Sequence, residues 1–284
     1  MSSERLAGII PFLPDPWITA GGGAANTARA AHLLGLDSSF VGAVGNDSMG
    51  SRYRADLETA GLEVFLSLSK RPTGIFCAII NPDGGRTILV APGAAPDVAL
   101  SMPVFQRNKG SLLYMDGFLA SNSDFFAAEA RKAKNAGMLV AIDLGSRGFV
   151  EGMRDFLLEA IPSYCDFVFA NEDEFIALVG GSISGGLALL GKGECGLIIK
   201  RAEKGALFAR RGSIWESPVR AQKPLDETGA GDAFAAGFLA GLSRGFAPSR
   251  ALRLGNRIAE EVLAVPGMRL DGSKIRSAAQ SVAI

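Results

Sequence analysis

Residues 111–143 read SLLYMDGFLASNSDFFAAEARKAKNAGMLVAID, and this stretch contains the repeating unit of the predicted fold. The apolar run Ser111–Met115 predicts a β-strand, and Asp124–Ala136 has the amphipathic spacing of a helix that Gly137 would end. Met138–Ile142 is a second apolar run of strand length. A strand, a helix and a second strand in this order are typical of two parallel strands joined by a crossover helix.

The same alternation extends along the chain on both sides of this unit. Apolar runs and amphipathic stretches predict strands and helices in turn, at Phe40–Val44 (strand), Ser51–Ala60 (helix), Glu151–Ile161 (helix), Asp166–Ala170 (strand), Glu172–Val179 (helix) and Gly196–Lys200 (strand). Because parallel strands need helical crossovers that cover the sheet, this rhythm predicts an α/β fold with a mostly parallel sheet and helices on both faces.

Two hairpins interrupt the alternation. Gly74–Ile80 and Arg86–Val90 are predicted strands, and the residues between them, Asn-Pro-Asp-Gly-Gly, favour a tight turn. A hairpin inserted into an α/β chain can form a flap over a ligand site or an edge without a binding role, and the pattern leaves both open. The second predicted hairpin pairs Ala206–Arg210 with Ser213–Trp215.

Composition argues against several classes of function. The 284 residues carry 29 Lys and Arg against 29 Asp and Glu, so no net charge would attract nucleic acid or an anionic membrane. The apolar stretch Ala233–Leu242 is too short to span a bilayer, and no basic segment leads into an apolar one as in a signal peptide. Three widely spaced cysteines, Cys77, Cys165 and Cys195, suggest neither a disulfide framework nor a zinc site. We therefore expect a cytoplasmic protein.

The segment Asp226–Asp232, with the sequence DETGAGD, carries the strongest chemical signal. Gly229 and Gly231 let the backbone turn tightly, so that the amides at the start of the following apolar helix face one point and can bind an anion. Asp232 would lie in the first turn of this helix, where a carboxylate can simply act as a cap. Beside a bound phosphate, however, a carboxylate is the base that transfer of a phosphoryl group to an alcohol requires.

The standard nucleotide motifs are not found. The sequence contains no P-loop ending in Gly-Lys-Ser or Gly-Lys-Thr. Gly21–Asn26, with the sequence GGGAAN, ends in Asn and follows no predicted strand, so it does not match the dinucleotide fingerprint either. This segment still allows the backbone to approach a ligand closely, and Asn26 can donate or accept a hydrogen bond. The alternative is a Gly-rich loop with Asn26 in the first turn of a helix.

A third polar segment, Asn171–Glu174, comes directly after the predicted strand Asp166–Ala170. Open α/β sheets bind ligands at the carboxyl ends of their parallel strands. Asn171 and Glu174 lie three residues apart, on one side of the predicted helix, and could hold a magnesium ion through its water molecules. On this segment alone, acids that cap the helix and favour its dipole explain the pattern better.

Taken together, these segments resemble the ribokinase-like, PfkB-type kinases of carbohydrates and nucleosides. One signature starts at Gly21–Ala28 and continues through Leu34–Leu36 to Val41–Gly50, and the other is Asp226–Asp232 with its Ala- and Gly-rich helix. Their order and separation are specific, and the resemblance covers residues 21–267. It implies a ribokinase-like three-layer sandwich with a small β lid, and ATP-dependent phosphorylation of a hydroxyl group on a small sugar. A nucleoside kinase of the adenosine type and a kinase-like binding protein with weak or lost turnover are the alternatives.

The resemblance implies a role for each matching position on the phosphate side. Asp232 matches the catalytic base, and the anion hole corresponds to Gly229, Ala230 and Gly231. Mg²⁺ would be held through water by Asn171 and Glu174, and in many members K⁺ binds near the positions of Asp226 and Thr228. The residues expected around ATP are Lys200, Gly205, Thr228 and Asn256.

On the substrate side, Gly22 and Asn26 match substrate-contacting positions, and Arg86 in the hairpin is a further candidate for an acidic sugar. The lid would come from about residues 13–20 and 72–92 of a single domain over residues 1–284. Lid hairpins of this kind often pair between subunits, which implies a homodimer. The sequence does not specify which sugar or nucleoside is the substrate.

Two segments depart from the family pattern. The family often has Thr-Leu-Gly after the strand that corresponds to Gly196–Ile199, whereas this chain has Lys200–Gly205, with the sequence KRAEKG. The nucleotide loop is therefore altered. The family also opens with a strand ending in Gly and a substrate-binding Asp, and Met1–Ala20 contains three prolines and no such pattern. We expect this first strand to be missing or degenerate, with Asp15, between two prolines, a poor substitute.

Overall fold

A computed structural model of the chain describes residues 2–13, 16–80, 86–100, 105, 110–219 and 224–283. The chain divides into two compact units. The first unit comprises Met1–His32 and Asp37–Leu100, and the second comprises Leu33–Leu36 and Ser101–Ile284. That residues 1–284 form a single domain stays a prediction.

In the first unit, helices accompany two pairs of strands. Its elements are α1 (Ser3–Ala7), α2 (Gly23–Leu33), β1 (Ser39–Gly45), α3 (Ser48–Thr59), β2 (Glu63–Ser69), β3 (Ile75–Ile80) and β4 (Arg86–Ala91). Strands β1 and β2 pair in parallel with Ser39 opposite Glu63, and β3 and β4 form an antiparallel hairpin with Ile75 opposite Ala91. The predicted hairpin is thus confirmed, while its turn, residues 81–85, lies outside the described residues.

The described residues before β1 form helices and loops. The hydroxyl of Ser2 caps α1 by accepting a hydrogen bond from the Arg5 amide at 3.3 Å, and a 3₁₀ turn follows at Ile10–Phe12. Residues 16–22 adopt neither helix nor strand. Within the stretch 13–20, described residues 13 and 16–20 give the predicted lid no strand, and Pro16 lacks the N–H that a strand ladder needs. That the first strand of the family is missing or degenerate stays a prediction.

The second unit contains a large sheet with helices around it. Its strands are β5 (Leu112–Asp116), β6 (Leu139–Asp143), β7 (Phe167–Asn171), β8 (Gly196–Lys200), β9 (Ala206–Arg210) and β10 (Ser213–Ser217). Its helices are α4 (Ser123–Asn135), α5 (Arg147–Tyr164), α6 (Glu172–Val179), α7 (Ile183–Leu190), α8 (Ala230–Ser243), α9 (Pro248–Leu263) and α10 (Gly272–Ala283). Within the described ranges, no single helix has the length and apolar character to cross a membrane, although α6 and α7, bent by 62°, meet that test as a pair by length and composition only.

The sheet of the second unit brings the ends of four strands together. Its six strands follow the order β10-β9-β8-β7-β6-β5. Strands β5 to β8 are parallel, β9 pairs antiparallel with β8, and β10 pairs antiparallel with β9. At the carboxyl ends, Asp116 lies opposite Asp143, and Asn171 lies opposite Lys200. The α/β fold class with a mostly parallel sheet is confirmed, and the sheet collects polar residues at one end.

A dense apolar layer packs α8 and α9 against this sheet. The ring of Phe238 in α8 lies 5.9 Å from that of Phe169 in β7 and 5.4 Å from that of Phe208 in β9, measured between centroids. The two helices approach closely because glycines meet between them: a Cβ added to Gly237 would lie 2.9 Å from the Cα of Gly255. The small residues of α8 therefore fix the start of this helix against a well-packed core.

Candidate active site

The loop before α8 turns at Gly229 and leads directly into the helix. Gly229 has a φ of 80°, a left-handed conformation that favours glycine, and no described side chain caps the helix that begins at Ala230. The Ala230 amide donates to the carbonyl oxygen of Glu227 at 3.2 Å, so the Gly231 amide is the better placed donor for an anion. Asp232 lies half-buried in the same turn. This geometry and the helix dipole suit a phosphate. The anion hole of Gly229, Ala230 and Gly231 and the role of Asp232 as the base stay predictions.

The carboxylate of Asp226 holds this loop in place through hydrogen bonds. It is buried, its Oδ1 accepts from the Thr228 amide at 3.0 Å and from the Thr228 hydroxyl at 2.8 Å, and its Oδ2 accepts from the Gly267 amide at 2.7 Å. Both carboxylate oxygens thus fix the turn that precedes Gly229. The roles of Asp226 and Thr228 at a K⁺ site, and of Thr228 beside ATP, stay predictions.

A half-buried ion pair lies beside the same helix start. The ammonium of Lys200, at the end of β8, lies 2.8 Å from Oδ2 of Asp143, at the end of β6. The hydroxyl of Tyr114 donates to the same oxygen at 2.8 Å. A Cβ added to Gly231 would lie 3.3 Å from Lys200 Nζ, so the lysine packs against the first turn of α8. Sequence reasoning missed Asp143 and Tyr114, although Asp143 directly follows a predicted strand, as Asn171 does.

Charges at the ends of these strands shift several pKa values. Burial lowers the pKa of Lys200, but the nearby carboxylates of Asp143, Glu174 and Asp232 outweigh it and raise this pKa, so the amine stays protonated. Burial raises the pKa of Glu174, and the charge of Lys200 offsets only part of that rise. Burial also raises the pKa of Asp116, and the charge of Asp143 adds to the effect. Lys200 therefore interacts electrostatically with Asp143, Glu174 and Asp232.

Asn171 and Glu174 form a capping box at the start of α6. The Asn171 Oδ1 accepts from the Glu174 amide at 2.8 Å, and the Glu174 Oε2 accepts from the Asn171 amide at 2.8 Å. The Asn171 Nδ2 also donates to the Glu174 Oε1 at 2.8 Å. Helix capping, the role favoured for this segment alone, is confirmed, and the metal role stays a prediction.

The capping box suits a hydrated magnesium ion better than a bare one. The described part of the chain contains no group of three or more His, Cys, Asp or Glu side chains that could hold a metal ion. Each carboxylate oxygen has two acceptor positions, so the oxygens of Glu174 keep acceptor capacity after capping the helix. Protein-bound Mg²⁺ usually keeps several waters and binds substrate phosphates. Asn171 and Glu174 would hold such an ion through its waters, and the ion would neutralise phosphate charge when bound.

We expect Glu174→Gln to raise the Mg²⁺ concentration needed for half-maximal rate by about tenfold. This is the usual loss of metal affinity when a residue that hydrogen-bonds to the metal's ligands is replaced. Glutamine can still complete the capping box but removes the charge. Initial rates measured against Mg²⁺ concentration test this. Glu172→Gln is the matched control, because Glu172 begins the same helix and its carboxylate pairs with Lys204 at 3.0 Å. Superimposable curves for wild type and Glu174→Gln would show that Glu174 is only a cap.

The turn between β8 and β9 takes an unusual backbone path. Ala202 has a φ of 47°, a left-handed value uncommon for a residue with a Cβ, at the position where the family often has Gly. Gly205 has a φ of 83° and a ψ of −133°, a combination that only glycine adopts readily. Arg201 pairs with Glu216 of β10 at 2.7 Å. The turn is therefore fixed by Gly205 and by contacts to β10, and its contact with ATP stays a prediction.

We expect Gly205→Ala to lower the free energy of unfolding by about 2–4 kcal/mol. A Cβ at this position would overlap the carbonyl oxygen of Ser217, so the backbone must move. Gly212→Ala is the matched control, because Gly212 also has a positive φ, 76°, but its added Cβ would have nothing within 4 Å. The control should lose about 1 kcal/mol. Equal losses in chemical denaturation would contradict the steric argument.

Asn256 connects α9 to the end of the sheet. Its side chain is buried, and its Nδ2 donates to the carbonyl oxygen of Ser217 at 2.9 Å and to the Ser217 hydroxyl at 3.1 Å. The amide therefore fixes the end of β10 against α9. Its position beside the adenine of ATP, implied by the family resemblance, stays a prediction.

The predicted substrate residues of the first unit lie around the start of α2. Gly22 has a φ of 98°, and a Cβ added there would have nothing within 4 Å, so the backbone is accessible. Asn26 is buried, and its backbone amide donates to the Gly22 carbonyl oxygen at 2.9 Å. Arg86 begins β4, and its side chain lies outside the described residues. The substrate roles of Gly22, Asn26 and Arg86 stay predictions.

Comparison with known proteins identifies the family of this chain. Residues 13–274 match the family described as pfkB family carbohydrate kinase. A fructokinase from Klebsiella pneumoniae is 31% identical over 241 residues, which cover 78% of this chain and 76% of that protein. A cytidine kinase from Thermococcus kodakarensis is 32% identical over 254 residues, which cover 86% of this chain and 87% of that protein.

A solved structure of another kinase has the same fold as this chain. The structure of adenosine kinase from Sinorhizobium meliloti superimposes with a TM-score of 0.89 at 26% identity, over 99% of this chain and 89% of that one. The chain therefore belongs to the pfkB family of carbohydrate kinases. The predicted ribokinase-like fold and the class of phosphotransferase with an alcohol acceptor are confirmed. Kinases of this family use ATP and a divalent metal.

Proposed function

We propose that this protein transfers the γ-phosphoryl group of ATP to a hydroxyl group of a small sugar. The observation that carries the proposal is the loop Gly229–Asp232, where an amide suited to phosphate and a carboxylate share the first turn of α8. The similarity to a fructokinase supports a sugar as the acceptor. We place the reaction in the cytoplasm, where ATP is available.

In the proposed reaction, Asp232 takes the proton of the acceptor hydroxyl while the hydroxyl oxygen attacks the γ-phosphorus. A bond forms between that oxygen and the phosphorus, and the bond from the phosphorus to the oxygen shared with the β-phosphate breaks. ADP leaves with the electron pair of the broken bond. The loop amides, with that of Gly231 foremost, donate to the oxygens on which charge develops. Asp226 contributes by holding the loop in this conformation.

The decisive experiment is an acceptor screen with the purified protein, ATP and Mg²⁺. Sugars such as fructose, ribose and ribose 1-phosphate are compared with adenosine and cytidine, and ADP release is followed with a coupled assay. A sugar whose kcat/KM exceeds that of every nucleoside by about tenfold or more supports the proposal. Binding of ATP without transfer to any acceptor would instead identify a kinase-like binding protein.

A nucleoside is the second candidate acceptor, and the β3–β4 hairpin gives the reason. Phe76 and Val90 lie opposite each other and are 55% and 53% exposed, and Ile88 on the same face is 53% exposed. A nucleobase offers a flat ring that packs on apolar side chains, which a small sugar lacks. The acceptor screen decides between the two. The homodimer that the sequence predicts through the lid would also cover this face, and it stays a prediction.

A further inference from the structure

Lys200 lies where two strands of the second unit end beside the start of α8. It is the last residue of β8 and lies opposite Asn171, the last residue of β7. A Cβ added to Gly231 would lie 3.3 Å from the Lys200 Nζ and 3.7 Å from its Cδ. The lysine side chain is 17% exposed. Its ammonium group is therefore largely withdrawn from solvent and adjacent to the loop that suits a phosphate.

Carboxylates surround this ammonium from several elements. Asp143 of β6 is its hydrogen-bond partner at 2.8 Å, and Glu174 of α6 and Asp232 of α8 also act on its charge. Asp116 of β5 lies opposite Asp143 and adds a further acidic group. A triphosphate that approaches α8 meets this negative charge, and Lys200 is the cation that the cluster itself supplies. Phosphate binding here would be opposed by repulsion without that cation.

We propose, on the basis of the kinase function proposed above, that Lys200 is a catalytic residue that donates a hydrogen bond to the γ-phosphoryl group during its transfer. An ammonium group has three donors, and among the described residues Asp143 is the acceptor for one of them. The ammonium lies beside Gly231 at the start of α8, where an anion bound to the helix amides would be within reach of its other donors. A preorganised cation at this point stabilises the charge that spreads over the oxygens of the transferring group.

Lys200 keeps its protons throughout this step. The proton of the acceptor hydroxyl goes to Asp232, and the electron pair of the broken phosphorus–oxygen bond leaves with ADP. Asp143 and Tyr114 act as positioning residues, because the Tyr114 hydroxyl donates at 2.8 Å to the Asp143 oxygen that holds the ammonium. The role of Lys200 is therefore electrostatic and depends on where its side chain is held.

A purely structural ion pair is the competing explanation. Removing Lys200 alone would leave the carboxylate of Asp143 without its counter-charge, and such changes destabilise proteins strongly. The informative variant is therefore the double substitution Lys200→Met with Asp143→Asn, which removes both charges and preserves the side-chain volumes. The hydroxyl of Tyr114 can still donate to the amide oxygen introduced at position 143.

The same sheet offers a matched control at its opposite end. The Lys134 ammonium lies 2.8 Å and 2.7 Å from the two carboxylate oxygens of Asp166, which directly precedes β7. The double substitution Lys134→Met with Asp166→Asn removes the same kind of pair at the amino ends of the strands. It tests what the loss of one Lys–Asp pair does to the fold without touching the start of α8.

The test compares a nucleotide that has a γ-phosphate with one that lacks it. Calorimetry in the presence of Mg²⁺ gives the Kd of the non-hydrolysable ATP analogue AMP-PNP and the Kd of ADP for each protein. For the Lys200 and Asp143 double variant, we expect the Kd of AMP-PNP to rise about tenfold, that of ADP to change less than about threefold, and kcat to fall at least about a hundredfold. The control variant should stay within about twofold of wild type in all three quantities.

Two results would overturn the role of Lys200. One is a folded double variant in which both Kd values change by the same factor, since Lys200 would then not distinguish the γ-phosphate. The other is a folded double variant that keeps the kcat of the wild type. A wild-type protein that binds neither nucleotide would overturn the proposed kinase function itself, and the role of Lys200 with it. The nucleotide measurements on wild type therefore separate the two failures.

Discussion

Asp232→Asn is expected to lower kcat by at least about two to three orders of magnitude, the scale associated with the loss of a general base. Asp232 lies in the first turn of α8, next to the loop amides. Asparagine keeps the size of the side chain but cannot take a proton from the acceptor hydroxyl. The Kd of ATP should change little, because the carboxylate serves the acceptor. Steady-state kinetics at saturating ATP, with the preferred acceptor from the screen, measure the effect.

Asp271 provides the matched control, because it is also an acid at the start of a helix. Its Oδ1 accepts from the Ser273 amide at 2.8 Å and from the Ser273 hydroxyl at 2.6 Å, where α10 begins. Asp271→Asn should change stability little, because asparagine caps a helix about as well as aspartate, and should leave kcat unchanged. If Asp232 were only a cap, the two variants would behave alike. An Asp232→Asn protein with more than about half of the wild-type kcat would contradict its assignment as the base.

Elements with strong local signals at both ends could be predicted to the residue. Both α6, at Glu172–Val179, and β8, at Gly196–Lys200, have the bounds that the sequence predicts. The capping box of Asn171 and Glu174 fixes the start of α6, and Gly180, with a φ of 68°, fixes its end. Where such signals are local, the chain near each end determines the boundary without help from the rest of the fold.

Two helices begin earlier than predicted, because a polar cap outside the apolar pattern determines the first residue of each. The helix predicted from Ser51 begins at Ser48, because the Asp47 carboxylate accepts from the Gly50 amide at 2.7 Å. The helix predicted from Glu151 begins at Arg147, after Ser146 as its cap. Strand β2 was not predicted, although its residues pair in parallel with β1 along their whole length. Apolar periodicity therefore does not fix where an element begins, and it can miss a whole strand.

Some residues of the candidate site are held by near neighbours in the sequence, and others are held by residues far along the chain. The loop that ends at Asp232 has a clear sequence signal and depends partly on neighbours in sequence, since Asp226 holds Thr228 two residues away, and partly on the distant Gly267 amide, which Asp226 also holds. The pair of Lys200 and Asp143 joins residues 57 positions apart. It depends on the order of the strands in the sheet, which local patterns do not specify. An acid directly after a predicted strand was the available signal for Asp143.

Gly229→Val is expected to lower kcat by about a hundredfold or more, while the KM of the acceptor stays within about twofold. Gly229 has a φ of 80°, which a β-branched residue adopts only with strain, and an added Cβ would overlap the sulfur of Met268. Met268 can shift to relieve the overlap, but the strain of a β-branched residue at this φ acts on the loop itself, and the amides that stabilise the transferring charge move with it. Steady-state kinetics give kcat and KM separately, so loss of transfer is distinguished from loss of acceptor binding.

Gly35→Val is the matched control for this backbone change. Gly35 also has a positive φ, 83°, but an added Cβ there would have nothing within 4 Å. Valine at either position should lower the free energy of unfolding by about 1–3 kcal/mol through backbone strain. Only the change at Gly229 should also lower kcat, because only that residue shapes the anion loop. Unchanged turnover in a folded Gly229→Val protein would show that the amides before α8 do not stabilise the transferring group.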